Sequence, residues 1–329
     1  MKRLILAAMV GAVATMVSAG TPVLTVYTYD SFVSDWGPGP AVEKEFEARC
    51  GCDLQFVGAG DGAALLARLR LEGARSPADV ALGLDSNLTA AAAATGLFAP
   101  LNGPQRRYDL PVKWHDPLFQ PFDWGYFAFV YDRTKVTAPP HNFEELAASN
   151  LKIVIEDPRS STPGLGLLLW VKMAYGERAP QIWQELADNI VTVTKGWSEA
   201  YGMFQAGEAD MVLSYTTSPA YHMIAEHDDS KAAARFDEGH YVQIEVAGKL
   251  ASSDVPELAD QFLDFIASDD FQALIPTTNW MYPARVPAAG LPAAFQTLIQ
   301  PKKAILAAPK EAATLRNEAL KEWLSALSR

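Results

Sequence analysis

Phe122 to Asp132 reads FDWGYFAFVYD, and His240 to Ala247 reads HYVQIEVA. Both runs are rich in β-branched and aromatic residues, and both read as long strands, the first with a glycine inside it. Their importance lies in what flanks them. Before the first run, strand and helix signals alternate. Val23–Tyr29 reads as a strand, and Ala41–Arg49 as a helix with Val42 and Phe46 on one face. Leu54–Val57 is a strand, Ala63–Glu72 a helix with Leu65, Leu66 and Leu69 aligned, and Asp79–Leu84 a strand. An alanine-rich helix ending at Gly96 follows. After Pro139-Pro140 a second series begins. Lys152–Ile155, Val191–Thr194 and Asp210–Tyr215 read as strands; Gly164–Tyr175, Pro180–Asn189, Ser198–Gln205 and Pro219–Glu226 read as helices. Alternation of this kind implies parallel sheet with helices on its faces. Two such series separated by two long strands predict two α/β lobes joined by two crossings, with a cleft between them. From Pro256 onward the pattern is helical, ending in an amphipathic helix over Pro309–Ser328.

Composition restricts the partners. The 329 residues are 49% hydrophobic, enough for a sizeable core, and 27 Lys and Arg face 39 Asp and Glu, a formal charge of −12. No basic stripe offers a nucleic-acid phosphate a surface. At the amino end, Lys2 and Arg3 precede an uncharged run from Leu4 to Val17 and the small-residue pattern Val17-Ser18-Ala19. The run falls short of the ~20 residues a membrane span needs, so residues 1–19 read as a secretory signal peptide cleaved near Ala19. Its removal leaves 25 basic against 39 acidic residues, a net −14, and predicts an exported, soluble protein. Cys50 and Cys52 are the only cysteines. An oxidising compartment allows them to bridge, across a tight loop that would be strained. They cannot form a metal site without further ligands. The five histidines (115, 141, 222, 227 and 240) show no ligand spacing. His222 and His227 are expected on a solvated helix face.

Ligands of open α/β sheets lie beyond the carboxyl ends of strands, against helix N-termini. Three such corners are polar. Asp157-Pro158-Arg159-Ser160-Ser161-Thr162-Pro163-Gly164 reads as a helix start with Thr162 as N-cap and Pro163 at the first helical position. Its hydroxyls and free N–H groups suit an anion, although an ordinary capped helix has the same sequence. Ser214-Tyr215-Thr216-Thr217-Ser218-Pro219 repeats the pattern with Ser218 as cap. Gly58-Ala59-Gly60-Asp61-Gly62 is not a dinucleotide fingerprint; Asp61 there is either an N-cap or a carboxylate facing the cleft. Three of the eight tryptophans, Trp36, Trp197 and Trp280, fall in predicted loops, whereas Trp170 and Trp183 read as core. With Tyr29, Tyr201, Tyr215, Tyr221 and Tyr282 nearby in sequence, the loop tryptophans suit an aromatic box for a flat or cationic ligand. No nucleophile–base set is present, and no enzyme activity is expected.

The blocks VLTVYTYDSF (23–32), DWGPGP (35–40), PFDWGYFAFVYD (121–132), DPRSSTPGLGLLLW (157–170), TVTKGWSEAYG (192–202), VLSYTTSPAYH (212–222) and NWMYP (279–283) resemble the periplasmic thiamine-binding proteins of bacterial ABC transporters. The likeness runs over essentially the whole mature chain. It implies a two-lobed type II periplasmic-binding-protein fold, α/β in class, that closes on thiamine, thiamine monophosphate or thiamine diphosphate. The cargo then passes to a membrane permease with an ATPase subunit. It implies a monomer in the periplasm with no cofactor and no metal. The family's binding positions carry over to Asp61, Gly62, Ser161, Thr162, Trp197, Tyr215, Thr216, Thr217, Ser218 and Trp280, with Tyr29 and Tyr221 as further members. The C-x-C pair also has the family's placement. The expected organisation is lobe 1 over 20–124 and 245–284, lobe 2 over 125–244, and a C-terminal helical segment, 285–329, against lobe 2. Two other cargo or activity classes share the fold. Ferric-iron-binding proteins use tyrosinate ligands, for which an adjacent Tyr pair is expected, and Tyr215 and Tyr221 stand six apart. Thiaminase I uses a cleft cysteine, whereas Cys50 and Cys52 fall at the end of the first helix, away from every polar corner.

Overall fold

In the computed structural model, residues 20–103 and 106–328 are described. The signal-peptide stretch 1–19 lies outside them. The first series gives β1 (Val23–Thr28), α1 (Gly39–Cys50), β2 (Asp53–Gly58), α2 (Gly62–Glu72), β3 (Val80–Asp85) and α3 (Thr89–Ala93). The long strand β4 (Gln120–Asp132) follows. The second series is α4 (Phe143–Ala148), β5 (Ile153–Glu156), α5 (Thr162–Tyr175), α6 (Ala179–Leu186), β6 (Ile190–Thr194), α7 (Trp197–Gln205), β7 (Met211–Tyr215), the single turn α8 (Pro219–Tyr221) and β8 (Lys231–Ala233). The chain continues with β9 (His240–Lys249), α9 (Pro256–Ile266), α10 (Asp269–Thr278), β10 (Tyr282–Pro283), β11 (Ala304–Ile305) and α11 (Pro309–Leu327).

The strands lie in the order β2-β1-β3-β9-β4-β7-β5-β6, with β10 and β8 on β4 and β11 on β9. β1 pairs in parallel with β2 and β3, and β5 does so with β6 and β7. The sheet is mixed, because β4 and β9 run antiparallel to each other, β9 to β3 and β4 to β7, and so join the two parallel groups. The division of β4 is sharp. Gln120 to Tyr126 pair with β9, and Phe127 to Tyr131 pair with β7. Gly125 stands just before the change of partner, and a Cβ there would come within 2.8 Å of Met281 Cε and 3.4 Å of Tyr215 Cδ1. The missing side chain lets both groups close onto the strand.

α5 has no polar face. It is buried from Thr162 to Lys172, with the sheet on one side and α6 and α11 on the other. Within it, Lys172 is 5% exposed and reaches Glu318 at 2.9 Å and Glu322 at 2.7 Å, which ties α11 down. α11 also touches α3. Trp170 and Trp183 are fully buried, as expected for core. No helix among the described residues is long and apolar enough to cross a membrane.

Two local expectations need correction. The chain after Pro256 is not helical throughout: α9 and α10 are followed by β10, a 3₁₀ turn at Ala293–Gln296 and β11 before α11 begins. Pro283, Pro287, Gly290 and Pro292 interrupt any helix there. The N-cap of α5 is Ser161, so Thr162 is the first helical residue and Pro163 the second. Pro163 is tolerated because its missing N–H belongs to the unsatisfied first turn.

Candidate functional site

A cavity of about 630 Å³ opens where the strand ends of the two parallel groups face each other. Eight of the twelve expected positions line it: Tyr29, Asp61, Thr162, Trp197, Tyr215, Ser218, Tyr221 and Trp280. Its wall is largely aromatic. Trp197 stacks on Tyr201 with ring centroids 5.0 Å apart and an interplanar angle of 26°, and Trp36 approaches Trp197 at 6.2 Å. On another part of the wall Tyr221 meets Trp280 edge-on at 5.2 Å. The Trp197 indole N–H donates to Ser214 Oγ at 2.8 Å, and that hydroxyl contacts Ser218 Oγ at 2.8 Å. Bonding the ring edge in this way fixes the plane of Trp197.

The remaining four positions stand behind the wall. Ser161, Thr216 and Thr217 are buried outside the cavity lining, and Thr217 Oγ1 leans on Met281 Sδ at 3.7 Å. Gly62 donates its N–H to Thr162 Oγ1 at 3.1 Å. Hydroxyls at strand ends are visible in sequence, but which of them turn into the cleft is set by side-chain direction in the folded corner. The structure adds Ser31, Trp36, Ser198, Tyr201, Glu245, Asn279 and Met281 to the lining. Trp36 and Tyr201 carried an aromatic signal in sequence, whereas Glu245 sits unmarked inside the strand HYVQIEVA.

The charged lining groups, Asp61 and Glu245, are both carboxylates. Asp61 occupies the N-cap position of α2 but does not cap it. Its Oδ2 instead accepts the backbone N–H of Trp197 at 3.2 Å. Burial pushes Asp61 up to about 6, opposed by the nearby Ser161 hydroxyl and by the Trp197 N–H. The Ser161 hydroxyl approaches without the alignment of a full hydrogen bond. On the cavity floor, Tyr29 donates to Glu245 Oε2 at 2.9 Å, and Asn279 Nδ2 donates to Tyr29 Oη at 2.8 Å and to Asp123 Oδ2 at 2.6 Å. Burial pushes Asp123 up to about 7 and Glu245 well above the carboxylate range. Glu156, fully buried at the end of β5 with neither carboxylate oxygen hydrogen-bonded, is raised well above it by burial and by Asp61. Isolated buried negative charge is costly, and a cation beside Asp61 and Glu245 would offset part of that cost.

His222 is not on a solvated face. It is 1% exposed, in a π turn over His222–Glu226, with Nε2 2.8 Å from Tyr201 Oη and Nδ1 2.6 Å from Glu226 Oε2. The tyrosine behind Trp197 supplies its burial, a contact invisible in sequence. His222, Glu226 and Asp228 place ligand-type atoms within 4.8 Å of one another. These groups are nonetheless engaged: both His222 nitrogens are bonded, and Asp228 holds Ser230 and Lys231. Cys50 and Cys52 form a disulfide at the start of β2, the end of that strand away from the cavity.

A mixed sheet whose two parallel groups face each other across an aromatic cavity suits a protein that binds a small solute. The model of the bacterial extracellular solute-binding protein family matches residues 38–273, and the chain belongs to that family. Within it, the chain is 56% identical to a thiamine-binding periplasmic protein of Escherichia coli (strain K12) over 310 residues, 94% of each chain. A solved periplasmic thiamin binding protein superposes with a TM-score of 0.92 at 53% identity, covering 98% of this chain and 100% of that one. A ferric binding protein from Campylobacter jejuni superposes with a TM-score of 0.75 at 20% identity, covering 92% and 99%, and shares the fold alone.

Proposed function

We propose that this protein captures thiamine and its phosphate esters between two lobes, 20–124 with 245–284 and 125–244, and delivers them to the permease and ATPase of an ABC importer. The observation that carries this reading is the cavity's lining: aromatic faces whose charged neighbours are carboxylates. A thiazolium is a delocalised cation, and Trp197, Trp280 and Tyr215 would hold it by stacking and cation–π contacts worth roughly 0.5–2 kcal/mol each. Asp61 would accept from the aminopyrimidine NH₂, a charge-assisted bond. Tyr29 and Tyr221 complete the box. Ser218 and Thr162 are the hydroxyls available to the hydroxyethyl end, with Gly62, Ser161, Thr216 and Thr217 supporting them from behind. The relatives' periplasmic description favours an exported protein acting in the periplasm.

Two competing readings lose support. Tyrosinate ligands for ferric iron need free phenol oxygens side by side, whereas the Tyr29 hydroxyl donates to Glu245 at 2.9 Å and the Tyr215 hydroxyl to Gln243 at 2.5 Å. A cysteine nucleophile needs a free thiol, and both cysteines are in the disulfide. Isothermal calorimetry on refolded, ligand-free protein tests the proposal: thiamine at micromolar concentration should release heat with one-to-one stoichiometry. No heat with thiamine or its monophosphate would refute it.

A further inference from the structure

Helices on the two sides of the cavity exchange their caps. α2 starts at Gly62, and the N–H groups of its first turn need acceptors. The Asp61 side chain does not supply one. Gly62 N–H donates instead to Thr162 Oγ1 at 3.1 Å, and Ala64 N–H to the Ser160 carbonyl at 3.1 Å. Asp61 Oδ2 in turn accepts the N–H of Trp197, the first residue of α7. Thus the corner before α5 caps α2, and the corner before α2 caps α7. Ser160 Oγ also donates to the Lys195 carbonyl at 2.6 Å, bracing the two second-lobe corners against each other.

Close approach makes the exchange possible. A Cβ on Gly62 would lie 2.6 Å from Thr162 Oγ1, and one on Gly196 would lie 3.3 Å from Asp61 Oδ1. Every bond in the exchange joins residues 61–64 to residues 160–197.

We propose that this exchange of caps is a latch between the lobes, in which Ser160 and Thr162 are positioning residues that favour closure whether or not a ligand lies between. The latch rests on the two-lobed reading above. Asp61 couples it to the ligand, because the same carboxylate lines the cavity. Asp61 already has the extended backbone of an N-cap, φ −96° and ψ −177°. On opening, its side chain can therefore cap α2 itself. Neither state leaves the helix uncapped, so closure is decided by a few hydrogen bonds, each shifting an equilibrium by about five-fold.

The test is a distance measurement between spin labels at Leu71→Cys on α2 and Glu208→Cys after α7, both on exposed positions. In ligand-free protein, Thr162→Val should move population from the short to the long distance, and Thr162→Ser, which keeps the hydroxyl, should restore it. Thr162→Val should also weaken thiamine and thiamine monophosphate by the same factor, about five-fold, through faster release. An unchanged distance distribution in Thr162→Val would overturn the latch. So would a loss confined to the monophosphate, which would make this hydroxyl a phosphate ligand. The ligand-free distances test the latch even if thiamine does not bind.

Discussion

The Asn279 side chain anchors the backbone that carries Trp280. Trp280 has φ +57°, the left-handed region, and its N–H bonds to the Ile275 carbonyl to close α10. The preceding Asn279 amide reaches both Tyr29 and Asp123. Glycine usually occupies this position beyond a helix end; a bulky residue there is strained, and this one faces the cavity.

Replacing Trp280 separates strain from binding. Trp280→Gly and Trp280→Ala both remove the ring, and both should weaken thiamine by about ten-fold, near the upper end of a cation–π contact. Only glycine relieves the backbone. Denaturant unfolding should find Trp280→Gly more stable than Trp280→Ala by about 1 kcal/mol, the reverse of their order inside a helix.

Stability and affinity should respond to pH with opposite signs. Burial raises Asp61 and Asp85 to about 6 and Asp123 to about 7, so the folded protein holds protons that the unfolded chain releases near pH 4. Their contribution is complete below the unfolded value and is lost as pH rises through 6 to 7. His240, pushed down to about 4 by burial, opposes this below about pH 6.5. Thermal melts of ligand-free protein should therefore rise as pH falls from about 7.5 to 6.5. A bound cation favours the ionised carboxylates, so thiamine affinity should fall over the same interval. Calorimetry showing tighter binding on acidification would contradict this.

The disulfide should matter little to binding. It closes a very short loop, for which the chain-entropy account gives only about 1–2 kcal/mol. It also lies at the end of β2 away from the cavity. The double variant Cys50→Ser/Cys52→Ser should lose about that much stability while its thiamine titration overlays the parent's.

Trp197 should contribute through both its ring and its edge. Trp197→Phe keeps a stacking face on Tyr201 but loses the bond to Ser214. Affinity should drop by about five-fold for Trp197→Phe and more than ten-fold for Trp197→Ala. Equal losses would mean that the indole N–H alone sets the contribution.

Much of this was legible along the chain, because period-two and helical patterns report which faces are buried. FDWGYFAFVYD and HYVQIEVA declared the two long strands, the alternation around them declared the α/β series, and Asp61, Trp197 and Trp280 stood out as polar or aromatic residues at corners. Local pattern carries no information about partners distant in sequence. That β4 changes partner after Tyr126, that Glu245 faces the cavity from inside a buried strand, and that His222 is buried against Tyr201 follow from contacts across tens of residues. Helix caps show the limit most plainly. The sequence determined that α2 and α5 begin at polar corners and that a loop carrying Trp197 leads into α7; only tertiary structure decided which corner supplies which cap, because a free N–H bonds to whatever acceptor the folded chain brings within reach.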